Sequence, residues 1–364
     1  MIGFLQKINF SLKKPKIIIV TGNGRACAAE AIFQTLKPYL KVKKIFNDVV
    51  PLVNDKNEIL LFETSLKQRQ VCEEFTYLTK KSLLSVLVVT NTGDIPSDKE
   101  SFDGNEEEMV EIQKIVKELP SNAYVVLNFD DKTIRELGNK TNLNEITFGF
   151  QDGVNLQASD VKLNSGTNFK INYDGNIVPI WLRNLFGKEQ IYSALSSICC
   201  GIIFDLNLVK ISQALEKYNS LPGKMKLING IKKTLILDDS SSATFFSMSE
   251  ALEILNKIKV SGRKIAVLGD ILGDGIDVIN IHKAIGEKIV QQNIDLLFLI
   301  GARTKFIKEA VCKKGMAETK IFHFDDISSI GLKLQKEIRE GDLILINGSK
   351  EMKMEKVVEE IKKI

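Results

Sequence analysis

A glycine-rich turn between an apolar run and a helical pattern is the segment of this sequence best suited to chemistry. Gly22, Asn23, Gly24 and Arg25 follow the strand-like run at residues 17–20, and a helical pattern begins at about Arg25. In such a turn, several backbone N–H groups and the positive end of a helix point at one place, which is how proteins hold phosphate groups. The segment therefore predicts a nucleotide phosphate site.

The residues after the last glycine depart from what phosphoryl transfer requires. A working loop of this kind has a lysine that reaches the β- and γ-phosphates, and next to it a serine or threonine whose hydroxyl binds Mg²⁺. Here those positions hold Arg25 and Ala26. Arginine keeps the charge, but its planar fork is not interchangeable with a compact ammonium group. Alanine offers no metal ligand, so we expect the loop to have lost part of its chemistry.

Strands and helices that alternate along the chain must position this loop. The strand-like runs lie at residues 17–20, 58–62, 84–90, 123–127, 234–237, 264–268, 296–300 and 343–346. Helical patterns between them predict βαβ units and mainly parallel sheets. Residues 147–179 instead hold short alternating segments broken by Asn, Gly and Asp, which predict antiparallel strands appended to the first series. A second series begins near residue 234, so we predict two domains, 1–228 and 229–364.

The composition excludes several other classes of protein. The 364 residues carry 50 Lys and Arg against 46 Asp and Glu, spread along the chain, so no basic tract predicts nucleic-acid binding. The five cysteines lack CxxC spacing, which argues against a zinc site or a disulfide framework and favours a cytoplasmic protein. No stretch reaches 18 uninterrupted apolar residues, and residues 1–16 lack the pattern of a signal peptide. We therefore predict no membrane span.

Motifs along almost the whole chain resemble those of the Mur ligases, and most closely the branch that adds D-alanyl-D-alanine to a UDP-muramoyl tripeptide. The family's loop typically reads T-G-x-N-G-K-T-T, and residues 21–27 look like that loop with one residue deleted. The other similar segments, in the family's order, are 62–64 (FET), 89–93 (VTNTG), 126–131 (VLNFDD), 221–225 (LPGKM), 237–240 (LDDS), 266–270 (AVLGD), His282 with Gly286, and 346–350 (INGSK).

This resemblance implies an α/β fold. We expect a P-loop-type, mainly parallel central domain with appended antiparallel strands, followed by a Rossmann-like C-terminal α/β domain. The family's N-terminal UDP-sugar-binding domain would have no counterpart in the chain, because the loop strand lies within the first residues of the sequence.

The resemblance also implies candidate site residues. Those for the nucleotide are Gly22, Asn23, Gly24, Arg25, Asn128 and Asp131, with Glu63 as a magnesium ligand. Those for a substrate cleft are Asp238, Ser240, Asp270, His282, Ser349 and Lys350. Structural roles compete with several of these: Glu63 suits a solvated strand end, Asp131 suits a helix cap, and His282 suits a helix surface or cap. Asp270 is better placed, since ligands of open α/β sheets bind outside the carboxyl ends of strands.

Other positions on which the family's ATP and metal chemistry depends are replaced. The family's carbamylated lysine aligns with Ile112, its metal-binding histidine with or near Pro96, and its G-x-H-N-x-x-N with the GKEQIYS of residues 187–193. Phosphoryl transfer depends on cations positioned in advance. ATP and Mg²⁺ are therefore the expected cofactors of an active protein, and no cofactor is expected of an inactive one.

Two main functions stay open at this point. The chain is either an amide ligase of peptidoglycan precursor synthesis with impaired ATP chemistry, joining an amino acid or dipeptide to a carboxylate, or an inactive pseudo-ligase that is a binding partner or regulator of another enzyme. A third hypothesis is a protein that only binds a small molecule in its cleft. The ligase requires a small-molecule substrate, whereas the pseudo-ligase requires a protein partner.

Overall fold

The computed structural model describes residues 3–45, 50–66, 69–96, 101, 103–138, 143–241, 243–272 and 277–363. The described helices are α1 (Phe4–Lys13), α2 (Arg25–Leu36), α3 (Arg69–Lys81), α4 (Glu106–Glu118), α5 (Lys132–Gly138), α6 (Lys188–Ile203), α7 (Leu208–Glu216), α8 (Phe245–Lys257), α9 (Val278–Gln291), α10 (Lys305–Lys313), α11 (Ile330–Glu337) and α12 (Glu355–Ile361). Strands β1–β8 are Lys16–Thr21, Val42–Ile45, Ile59–Glu63, Leu84–Val89, Tyr124–Asn128, Asn144–Gly149, Leu156–Leu163 and Gly166–Tyr173. Strands β9–β15 are Asn176–Arg183, Lys226–Asn229, Leu235–Asp239, Lys264–Gly269, Leu296–Ile300, Ile321–Phe324 and Leu343–Asn347.

The chain divides into two compact units. Unit 1 comprises Met1–Lys162, Asn168–Arg183 and Lys188–Asn219, and unit 2 comprises Leu163–Thr167, Asn184–Gly187 and Ser220–Ile364. The strand that begins the second βαβ series, β11, lies in unit 2 together with β10 before it. A domain boundary at residue 228 stays a prediction.

Unit 1 is built on a sheet with the order β2-β3-β1-β4-β5-β6-β7-β8-β9. Its strands are parallel from β2 to β6, and β7 pairs in parallel with the end of β6. Two-residue turns join β7 to β8 and β8 to β9, a length that only antiparallel neighbours allow. In the second turn Asp174 and Gly175 have φ of 48° and 75°, as the hairpin turn with two left-handed residues requires. The predicted parallel sheet with appended antiparallel strands is confirmed.

The core of unit 1 explains the most apolar stretch of the sequence. In α6, every residue from Gln190 to Gly201 is buried. Its buried serines satisfy their hydroxyls on the preceding turn, with Ser196 donating to the Tyr192 carbonyl at 2.9 Å and Ser197 to the Ala194 carbonyl at 2.8 Å. The stretch is therefore a core helix, as predicted. Among the described residues no helix is both long and apolar enough to span a bilayer.

Unit 2 contains a second sheet, ordered β10-β11-β15-β12-β13-β14, in which only β10 runs antiparallel to its neighbour. Alternate residues of β12 face opposite layers, since Ala266 packs with the core that includes Met248 of α8, and Val267 with the core that includes Val357 of α12. Helices thus cover both faces of a mainly parallel sheet, which confirms the predicted Rossmann-like architecture.

Candidate functional site

The loop between β1 and α2 has the conformation that its glycines predict. Gly22 and Gly24 have φ of 97° and 76°, in the left-handed region. A Cβ on Gly22 would lie 2.5 Å from the carbonyl oxygen of Asn91 and 2.7 Å from the hydroxyl of Thr90, so only glycine fits. The N–H of Asn23 donates to the Asn91 carbonyl at 2.6 Å. The end of β4 therefore clamps a strand–turn–helix loop in place.

Arg25 turns back toward its own loop and toward β3. One terminal nitrogen donates to the Gly22 carbonyl at 3.2 Å, and Nε lies 3.8 Å from Oε1 of Glu63. Both side chains are about one-third exposed (34% and 29%), so the pair contributes at most about 1 kcal/mol to stability. The guanidinium group after the last glycine thus lies beside the carboxylate that was the candidate magnesium ligand.

A second carboxylate lies against the loop. Glu189 stands in the first turn of α6. Its Cγ is 3.2 Å and its Cδ 3.6 Å from the position that a Cβ on Gly24 would take. The sequence offered one signal of this contact, since Glu189 carries a negative charge where the G-x-H-N motif has histidine.

The strand end of β5 holds two of the predicted nucleotide residues. Asn128 is fully buried, and its Oδ1 accepts from the Asp130 N–H at 3.1 Å. Its Nδ2 is buried with no hydrogen-bond partner among the described residues. Asp131 accepts from the N–H and hydroxyl of Thr92, both at 2.8 Å, and from the N–H of Thr133 at 2.9 Å. The geometry of Asp131 is therefore that of a helix cap that also fastens β4 to α5.

The carboxylate of Asp130 is also engaged in hydrogen bonds. Burial raises the pKa of its carboxyl group, while hydrogen bonds from the Phe150 N–H and the Tyr192 hydroxyl, the latter at 2.9 Å, lower that pKa. Tyr192 falls at an unassigned position of the G-x-H-N-x-x-N motif, so the motif gives no signal of this contact. The two bonds hold the strand end against α6 and the chain after β6.

Two positions at which the family has metal-binding residues, Ile112 and Pro96, are buried in this structure. Ile112 is buried in the core of unit 1. Pro96 is buried too, and its carbonyl accepts from Nζ of Lys188 at 3.0 Å. Within the described part of the chain, no group of three or more His, Cys, Asp or Glu side chains is placed to hold a metal ion. These residues do not fit a magnesium ion held by several protein ligands.

In unit 2, Asp238 and Ser240 come together at the end of β11. Oδ1 of Asp238 accepts from the Ser240 hydroxyl at 2.7 Å, and Oδ2 accepts from the Gly223 N–H at 3.0 Å. Gly223 has φ of 70°, and a Cβ on it would lie 3.0 Å from the Ser240 hydroxyl. The carboxylate thus fastens the turn at residues 221–223 to the sheet.

Asp270, His282 and Ser349 meet at the end of β12. Oδ1 of Asp270 accepts from the Arg303 and Thr304 N–H groups at 3.0 and 2.9 Å. The Ser349 backbone N–H lies 3.4 Å from the Asp270 carbonyl oxygen. His282 is fully buried and lies beside the next residue of the chain, with Nε2 3.2 Å from the Ile271 nitrogen. Lys350 is exposed at the same end of the sheet.

His282 is held as a neutral side chain. Because the Ile271 N–H donates to Nε2, the proton of the ring lies on Nδ1, which donates to the Val278 carbonyl at 2.7 Å. Burial lowers the pKa of His282, the Val278 hydrogen bond and Asp270 raise it, and Arg303 lowers it. The imidazole therefore connects the start of α9 to the chain after β12.

Family comparisons match most of the chain. The model of the Mur ligase middle domain matches residues 28–201, and that of the Mur ligase, glutamate ligase domain matches residues 223–350. The chain belongs to the Mur ligase family. Its two units carry these two domains, and the resemblance inferred from the motifs is confirmed.

Individual Mur ligases align over nearly the full chain. The UDP-N-acetylmuramoyl-tripeptide–D-alanyl-D-alanine ligase of Bacillus subtilis is 26% identical over 358 residues, which cover 95% of this chain and 76% of the relative. The MurF ligase of Thermotoga maritima, solved in complex with ADP, superposes with a TM-score of 0.76 at 19% identity, over 98% of this chain and 81% of that one. A MurF from Acinetobacter baumannii gives 0.79 at 16% identity, over 97% and 78%. At these identities the structural matches show the fold alone.

Proposed function

We propose that this Mur ligase family member serves peptidoglycan precursor synthesis as a pseudo-ligase that does not transfer the γ-phosphoryl group of ATP. The observation that carries the proposal is the approach of Arg25 to Glu63, with Nε and Oε1 3.8 Å apart. A lysine at this position would point to the phosphates and leave the glutamate for magnesium. Here Arg25 instead turns toward Glu63.

Missing metal ligands support the same proposal. Ala26 has no hydroxyl for magnesium, and the buried Ile112 cannot carry a carbamate. Phosphoryl transfer depends almost entirely on positioning and on cations that balance the developing charge. Removing one preorganised electrostatic group typically costs about 10²–10³ in kcat, so the loss of several removes useful turnover.

The position of Glu189 adds a repulsive element. Its Cδ lies 3.6 Å from the Cβ position of Gly24, beside the turn that would hold phosphates. A carboxylate and a phosphate carry charges of the same sign, so Glu189 disfavours an anion in this turn. We propose that the loop keeps its shape and that its electrostatics disfavour a triphosphate.

The pseudo-ligase would act by binding another protein of the same synthetic route, in the cytoplasm. The cysteines support this location, since Cys72, Cys199, Cys200 and Cys312 are free thiols. The carboxylates of Asp238 and Asp270 are already engaged by backbone and hydroxyl donors. We propose that these residues now shape unit 2.

An active amide ligase is the second candidate, favoured by one observation. Nδ2 of Asn128 is a buried donor without a partner among the described residues, at the carboxyl end of β5. A nucleotide oxygen would satisfy it, and the related MurF ligase of Thermotoga maritima was solved with ADP. Such a ligase would use ATP and Mg²⁺ and take an amino acid or dipeptide as its amine substrate.

Nucleotide binding with and without Mg²⁺ tests the proposal. We expect ATP to leave the melting temperature of the protein unchanged and Mg²⁺ to add nothing. Glu189→Gln should raise ATP affinity about tenfold or more by removing the repulsion, and Arg25→Lys with Ala26→Thr should raise it further. Glu118→Gln, which removes an exposed carboxylate of the same unit (55% exposed), is the matched control and should leave the ATP affinity unchanged. Tight Mg²⁺-dependent binding by the unmodified chain would contradict the proposal.

A further inference from the structure

Helix α1 presents an unusual apolar surface to solvent. Phe4, Leu5, Ile8 and Leu12 are 78%, 75%, 42% and 77% exposed. At 3.6 residues per turn, their spacing places all four within a sector about 100° wide along one side of the helix. Single exposed apolar residues are normal, whereas a contiguous row marks an interaction surface. We name these four residues the α1 stripe.

The rest of α1 is fastened to unit 1, so the orientation of the α1 stripe is fixed. Phe10 is fully buried in the core. The Asn9 side chain donates to the Val53 carbonyl at 3.2 Å and accepts from the Val53 N–H at 2.7 Å. The Ser11 hydroxyl lies 2.9 Å from the Tyr77 hydroxyl. Because Phe10 lies about 180° around the helix from the middle of the stripe, the stripe faces away from the core.

The charged residues of helix α1 and of the position after it are of one sign. Residues 3–14 contain Lys7, Lys13 and Lys14 and no acidic residue. Lysines beside a row of Phe, Leu and Ile are the composition of helices that lie in the boundary between lipid headgroups and acyl chains. Such lysines are attracted to anionic lipids.

We propose that the α1 stripe docks on an anionic membrane surface, with its apolar side chains at the headgroup–acyl boundary and its lysines against lipid phosphates. A helix of ten residues, Phe4–Lys13, lies on a bilayer and is too short to cross it. A second copy of the chain fits the stripe less well, because an isologous contact places the same lysine-rich flanks against each other.

Sedimentation of the full chain with lipid vesicles tests the proposal. Binding to phosphatidylglycerol vesicles should exceed binding to phosphatidylcholine vesicles, and Phe4→Ser, Leu5→Ser and Leu12→Ser combined should weaken it at least tenfold. Ile177→Ser with Leu332→Ser is the matched control, since these apolar side chains are exposed to similar extents (66% and 68%) on other elements. That control should bind as the unmodified chain does.

The lysines provide a second arm of the test. Lys13→Glu with Lys14→Glu should weaken vesicle binding by about fivefold or more for each lysine, and added salt should weaken binding of the unmodified chain. No preference for phosphatidylglycerol, or equal binding by the triple serine variant, would overturn the proposal. A dimer in analytical ultracentrifugation that the triple serine variant abolishes would also overturn it, by assigning the stripe to a second copy.

Discussion

Replacing His282 with alanine should destabilise unit 2 by about 1 to 3 kcal/mol, because one buried backbone donor loses its partner. This donor is the Ile271 N–H, whose nitrogen lies 3.2 Å from Nε2. The Val278 carbonyl, whose oxygen lies 2.7 Å from Nδ1, is partly exposed and can bond to water in the variant. A loss of about 2 kcal/mol would lower the Tm by roughly 4–8 °C for a unit of this size. Differential scanning calorimetry measures this shift directly.

The pH dependence of stability gives the same prediction a second, independent readout. Burial lowers the pKa of His282 in the folded protein, so the unfolded chain takes up this proton first as the pH falls. The contribution of His282 should therefore be constant above about pH 6.5, decline below it, and level off once the pH passes the lowered pKa of the folded state.

His282→Gln is the matched variant, because its amide oxygen can still accept from the Ile271 N–H but does not titrate. It should destabilise unit 2 less than alanine does, and it should lose stability less steeply than the unmodified chain as the pH falls below about 6.5. Equal steepness in the two proteins would refute the role of a neutral, buried imidazole. An alanine variant as stable as the unmodified chain would refute the role of its hydrogen bonds.

The remaining predictions concern unit 1. Gly24→Ala should lower the free energy of unfolding more than Gly153→Ala does. Both glycines have left-handed φ (76° and 84°), which costs about 1–2 kcal/mol for alanine. At Gly24 the new Cβ would also lie 3.2 Å from the side chain of Glu189, whereas nothing lies within 4 Å of the new Cβ at Gly153. Equal losses in urea unfolding would contradict the close approach of Glu189. Asp131→Ala should lower the stability of the unit by about 2–4 kcal/mol, because it removes a helix cap and leaves buried donors unpaired. A loss below about 0.5 kcal/mol in the same assay would show that the cap is not structural.

The sequence predicted the parallel strands well because their signal is local. All eight apolar runs became strands, and the Gly-rich turn took the left-handed conformations that its glycines allow. Strands β2, β10 and β14 were missed. Each has four residues and lies at the edge of its sheet, too short to show a period and too exposed to be uniformly apolar. Strand β6 was missed too, since it pairs in parallel with β5 whereas residues from 147 on were predicted to be antiparallel.

The roles of the polar residues were harder to predict because contacts distant in sequence decide them. Asp131 could be read as a nucleotide ligand or a helix cap until Thr92 and Thr133 appeared as its donors. The approach of Glu189 to Gly24 joins two helices that are far apart in the chain. Local pattern therefore indicated where polar residues gather, and only the fold showed which of them were already engaged.

Phosphate release under single-turnover conditions shows whether the protein transfers the γ-phosphoryl group of ATP. The protein, in excess over γ-labelled ATP, would be incubated with Mg²⁺, a UDP-muramoyl tripeptide and D-alanyl-D-alanine. Because Arg25 lies against Glu63 and Ala26 offers no hydroxyl for Mg²⁺, we expect no release above the protein-free blank. Release that depends on Mg²⁺ and on the carboxylate substrate would contradict it and would establish an active ligase.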